Sequence, residues 1–239
     1  MDFNNVYEDK KRASSYANLE FPGTYYLAYR DIPSIIHKYV LGNAALDFGC
    51  GTGRSTRFLK DLEFNVAGVD ISADMISNAK SIDPDGDYRL VPDGDLPNIV
   101  DDTFDLILSV FTFDNVPTVE HKLHLFTILR AKLKATGRLV ILVSSPEIYV
   151  NEWASFSTKD FPENRFAKDG EKVKIVMTDV EDDRPVEDIL CTNEQYHRIF
   201  KETQLELIAT HRPLGRTDEP FEWKSETRIP PWCIYVLGR

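Results

Sequence analysis

An α/β fold, with helices on both faces of a parallel sheet, is predicted by three features of the chain. From about residue 30 to 145, short apolar runs bracketed by Gly, Asp and Pro alternate with helix-compatible stretches, the pattern of strands buried on both faces. One run, 44–48, leads into glycines at alternate positions, Gly49, Gly51 and Gly53. Glycine has no Cβ, so the backbone there can turn sharply and lie against a ligand. The next run closes in Gly68-Val69-Asp70, and an acid in that place can accept both ribose hydroxyls of a nucleoside-type cofactor. Loop and acid together read as a nucleoside-binding α/β domain.

The elements follow in order. Residues 44–48, 65–69, 88–91, 104–110 and 138–143 read as strands one to five, and 54–62, 73–80 and 119–134 as the helices between them. The last helix has Leu123, Phe126, Ile128, Leu129 and Leu133 at core-facing spacing. A helix over 193–201 and strands over 205–211 and 232–237 close the chain. Two regions fall outside this core. Residues 1–29 carry Phe3, Tyr7, Tyr16, Phe21, Tyr25, Tyr26 and Tyr29, and 145–192 hold Tyr149, Trp153, Phe156, Phe161 and Phe166. Within the second, runs 172–177 and 186–191 flank an Asp-Arg-Pro turn and predict a hairpin. Ligands of an open α/β sheet bind beyond the carboxyl ends of the strands, and both regions can fold over that edge as a lid. The alternative is that their aromatics are ordinary core of an extended N-terminal helix and an insert.

The loop argues against a nicotinamide or flavin dinucleotide. A Gly or Ala is wanted three residues after the second glycine of the pyrophosphate fingerprint, and Arg54 stands there. Asp47, just ahead of the loop, would repel a pyrophosphate at the helix N-terminus. No Tyr-x-x-x-Lys pair of a reductase is present either. S-adenosylmethionine carries no phosphate, and its ammonium and sulfonium tolerate an acidic strand end. Over roughly residues 30–145 the chain resembles the class I S-adenosylmethionine-dependent methyltransferases. The resemblance rests on Leu46-Asp47-Phe48-Gly49-Cys50-Gly51-Thr52-Gly53, Gly68-Val69-Asp70-Ile71-Ser72 and Asp93-Gly94-Asp95-Leu96-Pro97, extended by Phe104-Asp105-Leu106-Ile107-Leu108-Ser109 and Leu133-Lys134-Ala135-Thr136-Gly137-Arg138-Leu139. It implies a Rossmann-like seven-stranded sheet, five parallel strands plus a C-terminal antiparallel pair, in a single domain over 1–239. Within it 1–29 is the lid segment, 30–145 the cofactor core, 146–192 the acceptor-side insert and 193–239 the closing helix and strands.

The same resemblance implies the site. Gly49, Cys50, Gly51 and Gly53 pass the methionine and ribose parts of the cofactor, and Asp47 acts near its amino group through water or an amide, or else caps the loop. Asp70 takes the ribose, with Ile71 and Met75 beside the adenine; Asp70 alone also reads as a helix cap, because Ser72 and Asp74 suit a helix start. Asp93 meets the adenine amino group, with Gly94 beside it and Asp95 as the other candidate. Ser109 and Val110 turn main-chain oxygens to the ammonium. Phe111, Phe113 and Asn115 face the methyl group, and Tyr7, Tyr16 and Trp153 close over it. Candidates for a base are Glu147 and, as an orienting group, Asn115. His121 and His124 read as surface or flank residues of their helix.

Composition narrows the partners. Of 239 residues, 28 are Lys or Arg and 39 Asp or Glu, a net charge of −11, which repels phosphate backbones and makes nucleic acid a poor partner. No Asn/Asp-Pro-Pro-aromatic tetrad follows strand four, where Ser109-Val110-Phe111-Thr112-Phe113-Asp114-Asn115 stands. Cys50, Cys191 and Cys233 have neither metal-ligand nor disulfide spacing, so no metal is expected. A polar start at residues 1–5 and the absence of a long apolar run predict a cytoplasmic protein without a membrane partner. The reading is therefore methyl transfer to a small molecule. The alternatives are a protein acceptor, which an acidic surface suits, and a non-catalytic cofactor-binding protein of the same fold.

Overall fold

The computed structural model describes residues 23–180 and 184–239. Tyr7 and Tyr16 lie outside these residues. Helices α1 (Thr24–Arg30) and α2 (Ile32–Tyr39) lead into β1 (Ala44–Phe48), α3 (Arg54–Asp61), β2 (Asn65–Asp70), α4 (Ala73–Ile82), β3 (Asp87–Leu90), β4 (Phe104–Val110), α5 (Val119–Lys132) and β5 (Leu133–Ser144). After the insert strands β6 (Phe156–Ser157), β7 (Lys172–Met177) and β8 (Val186–Ile189) come α6 (Asn193–Glu202), β9 (Glu206–His211) and β10 (Trp232–Gly238).

The main sheet has seven strands in the order β3-β2-β1-β4-β5-β10-β9. β1 pairs in parallel with both β2 and β4, Leu46 standing opposite Ala67 and Ile107, while β10 runs antiparallel between β5 and β9. Side chains alternate faces along each strand. Ala45, Leu106, Leu108, Val140 and Leu142 therefore pack toward α1, α2 and the insert. Leu46, Ile107, Leu139 and Ile141 pack toward α5 and α6, through Phe126, Leu129, Ile199 and Phe200. The strand order reverses between β1 and β4, and a crevice opens at such a point beyond the carboxyl ends of the strands.

The predicted sheet is present, with two adjustments. The helix expected over 119–134 stops at Lys132, because Leu133 opposite Phe104 already belongs to β5, which takes in five residues ahead of the strand expected from 138. Thr118 caps its start, accepting the His121 amide at 3.1 Å, as Ser72 caps α4 through the Met75 amide at 3.3 Å. The predicted hairpin is β7 and β8, joined by β6 into a three-stranded sheet.

Tyr149, Trp153 and Phe156 of the insert, together with Tyr25 and Tyr29 of α1, form one hydrophobic core with the sheet rather than a loose cover, whereas Phe166 is exposed. Trp153 is fully buried, its indole N–H donating to the Ile148 carbonyl at 2.8 Å. A buried junction ties α1 to the insert: Thr24 donates to Glu226 at 2.7 Å and its amide to Ser155 at 2.9 Å, while the Ala154 amide reaches the same Glu226 oxygen.

Candidate active site

The crevice between β1 and β4 holds a cavity of about 190 Å³. The loop after β1 forms one wall. Gly51 has φ +53°, and no atom lies within 4 Å of where a Cβ would stand, so the bare backbone faces open space. Asp70, ending β2, forms the adjoining wall. One of its oxygens accepts the Gly51 amide at 2.8 Å and the other the Ser72 amide at 2.8 Å. Each oxygen keeps a lone pair toward the cavity. Desolvation raises this carboxyl above its ordinary range, against the pull of the Ser72, Gly51 and Ile71 amides.

Most of the sequence-predicted residues meet here. Gly49, Cys50, Gly51, Asp70, Ile71, Met75, Asp93, Gly94, Asp95, Val110, Phe111 and Asn115 all line the cavity, so Asp93 and Asp95 both reach it. Phe111 sits at φ +60°, unusual for a bulky side chain, in the turn that carries the chain out of β4.

Six do not line it. Asp47 lies beneath the loop, fully buried, with one oxygen accepting from Ser55 at 2.7 Å and Thr56 at 2.6 Å; its other oxygen has no partner among the described residues. Burial raises its pKa to about 6, against those two hydroxyls. Of the two roles open to it, loop and helix bracing is the one its contacts serve. Gly53, at φ +81°, starts α3, and a Cβ there would come within 2.6 Å of the Tyr88 ring. Ser109 is buried behind Val110, its hydroxyl unpartnered among the described residues. Phe113 turns to the opposite side of the sheet and stacks on Phe126 with ring centroids 4.2 Å apart. Trp153 belongs to the core, as above, rather than to a lid. Glu147 sits at the surface in an ion pair with Arg212 at 3.0 Å, away from the cavity.

The sequence reading missed residues that helix geometry brings in. His121, in the first turn of α5, lines the cavity with its Nε2 3.2 Å from an Asp93 oxygen, and His124 bonds the Gly94 carbonyl at 2.8 Å. Arg54, in the first turn of α3, holds its guanidinium 5.5 and 5.4 Å from the Tyr25 and Tyr29 rings. The signal was available, since helices following parallel strands begin at the ligand edge and their first turns face it.

A second, smaller cavity of about 50 Å³ adjoins the first and shares Phe111 and Asn115 with it. Tyr25, Phe156 and Trp232 line it with Asp114, Tyr149 and Asp188. Burial raises Asp114 to about 6, the Ser144 amide and hydroxyl opposing.

Residues 46–141 match a family model described as a methyltransferase domain. Among curated proteins, a 2-methyl-6-phytyl-1,4-hydroquinone methyltransferase from Synechocystis is 38% identical over 35% of this chain and 24% of its own length. A demethylmenaquinone methyltransferase from Tropheryma whipplei is 38% identical over 42% of this chain and 41% of its own. The chain thus aligns with less than half the length of these relatives. Solved structures extend the likeness of fold. A protein from Pyrococcus horikoshii OT3 superposes with a TM-score of 0.65 at 17% identity, over 99% of each chain. An S-adenosylmethionine-dependent methyltransferase from Clostridium acetobutylicum does so with 0.62 at 16% identity, over 98% of this chain and 96% of its own.

Proposed function

We propose that this chain is a class I S-adenosylmethionine-dependent methyltransferase that methylates a small organic acceptor. The cofactor supplies a methyl group already activated on a sulfonium and leaves as S-adenosyl-L-homocysteine. The cavity suits it: Gly51 leaves room for the ligand, and Asp70, Asp93 and Asp95 place carboxylates where a cationic nucleoside is welcome and a pyrophosphate is not. In this reading Asp70 accepts the ribose hydroxyls, Ile71 lies against the adenine, Asp93 or Asp95 takes its amino group, and main-chain oxygen near Val110 receives the ammonium.

What the protein adds is alignment and dryness. Holding a nucleophile in line with an activated methyl supplies much of the acceleration, and an apolar wall suits a step in which charge disperses. The carrying observation is the shared wall, since Phe111 and Asn115 belong to both cavities. The acceptor then occupies the smaller one. Asp114 and Tyr149, rather than Glu147, are the groups placed there to hold or move a proton. Enclosure by α1, the insert and β10 favours a small molecule over a protein side chain, and the hydroquinone and menaquinone relatives act on small molecules by their names. Among the described residues, no helix is long and apolar enough to cross a membrane. Incubation with methyl-labelled S-adenosylmethionine and a metabolite extract tests this by mass spectrometry. Label in a small-molecule fraction is expected; label only in protein would favour the other acceptor class.

A further inference from the structure

We propose that His121 is a positioning residue for the cofactor, holding Asp93 at the amino edge of the adenine and so making the site selective for a 6-amino purine. The inference rests on the transferase reading of the larger cavity and deepens it, since that reading leaves Asp93 and Asp95 as equal candidates.

Two imidazoles of α5 grip the turn that follows β3. His121 and His124 are three residues apart and so share one face of the helix. His124 Nε2 donates to the Gly94 carbonyl at 2.8 Å, and His121 Nε2 stands 3.2 Å from an Asp93 oxygen. Gly94 has φ +76°, and an atom of each ring lies 3.6 Å from where its Cβ would stand. The turn therefore packs directly on the two rings. Thr118 caps the helix through the His121 amide, so the imidazole is carried on an anchored first turn.

The two acids do different work. Asp95 accepts the Leu96 amide at 2.7 Å, bracing the chain as Leu96 enters the core. Asp93 is half-exposed, and among the described residues His121 is the side chain its carboxylate meets. His121 Nε2 is shielded from solvent and makes no aligned hydrogen bond among the described residues, so Asp93 is the acceptor within its reach.

A half-exposed aspartate left to itself rotates, and fixing it before the ligand arrives spares part of the ordering cost of binding. The adenine amino group donates to such a carboxylate in a charge-assisted bond. A 6-oxo purine presents a carbonyl oxygen instead, which gives the carboxylate nothing to accept. A carboxylate free to swing can follow the N1–H of that purine, whereas a fixed one cannot. Through Asp93, His121 thus governs which base is admitted.

The test is calorimetric titration of the full chain with S-adenosylhomocysteine and with S-inosylhomocysteine, in which a carbonyl replaces the amino group. The wild type is expected to prefer the first at least about tenfold. Asp93→Asn, which offers a donor as well as an acceptor, should bring the ratio close to one, and Asp95→Asn should keep most of it. His121→Phe keeps a ring against Gly94 but removes the nitrogen, and should cut the preference several-fold. His121→Gln, which restores an N–H, should recover much of it. Should the phenylalanine variant fold poorly, His121→Ala gives the same comparison. A merely structural His121 would weaken both ligands equally and leave the ratio unchanged, which would overturn the inference. A ratio that collapses in Asp95→Asn but survives in Asp93→Asn would also overturn it. Tight S-adenosylhomocysteine binding without discrimination in the wild type overturns this inference alone, whereas binding of neither ligand overturns the transferase reading and the inference with it.

Discussion

Asp70 accepts the amide of Gly51 at 2.8 Å, so the acid that ends β2 also fixes the bend of the loop that ends β1. The two features that stand out in the sequence are thus one structural unit. Asp70→Ala would remove the loop's brace and the ribose acceptor together. Charge-assisted hydrogen bonds contribute about 1.5–3 kcal/mol each, so calorimetry should show S-adenosylhomocysteine binding weakened at least tenfold. Asp70→Asn keeps one acceptor oxygen and should fall between alanine and wild type.

Gly51 and Gly53 should separate binding from folding. Gly53→Ala forces a methyl group into Tyr88 at a left-handed backbone position and should cost about 1–3 kcal/mol of stability, measured by urea unfolding. Gly51→Ala meets only open space, so its stability cost is confined to the left-handed φ of +53°, about 1 kcal/mol. Its main expected effect is a several-fold loss of cofactor affinity, since the new methyl occupies the cavity.

Asp47 gives a pH signature. Its folded pKa of about 6 lies above the ordinary value of 3.8, so its contribution to stability is greatest below the ordinary value and is lost as pH rises through 6. Relative to Asp47→Asn, the wild type should gain about 1 kcal/mol between pH 7.5 and pH 5. Paired denaturant titrations at the two pH values measure this, and a gap that does not change would contradict a buried, charge-averse Asp47.

Trp153 and Glu147 should behave as a core residue and a surface residue. Trp153→Ala should destabilise by about 3–5 kcal/mol through the void it leaves, seen as a large drop in Tm. Glu147→Ala removes a half-exposed ion pair worth about 0–1 kcal/mol and should leave methyl transfer within about twofold.

These residues also mark where the sequence was legible. The cofactor wall is written in short contiguous segments, 49–51, 70–71 and 93–95, each at a strand end whose position the apolar pattern fixes, so motif spacing alone brought them together. The smaller cavity is assembled from Tyr25, Phe111, Asp114, Phe156, Asp188 and Trp232, which no local period connects. The aromatic density of the insert was visible, but whether Trp153 faced a ligand or the core depended on β6–β8 docking against α1. Phe113 and Phe111 differ by two residues and point to opposite sides of the sheet. The left-handed turn at Phe111 decides this, and it leaves no mark in residue type.

A crystal structure of the complex with S-adenosylhomocysteine tests the central claim most directly. The ribose hydroxyls are expected on Asp70, with the adenine beside Ile71 and the sulfur directed at the wall formed by Phe111 and Asn115. A ligand bound elsewhere, or one whose sulfur points away from the smaller cavity, would contradict both the cofactor assignment and the acceptor route built on it.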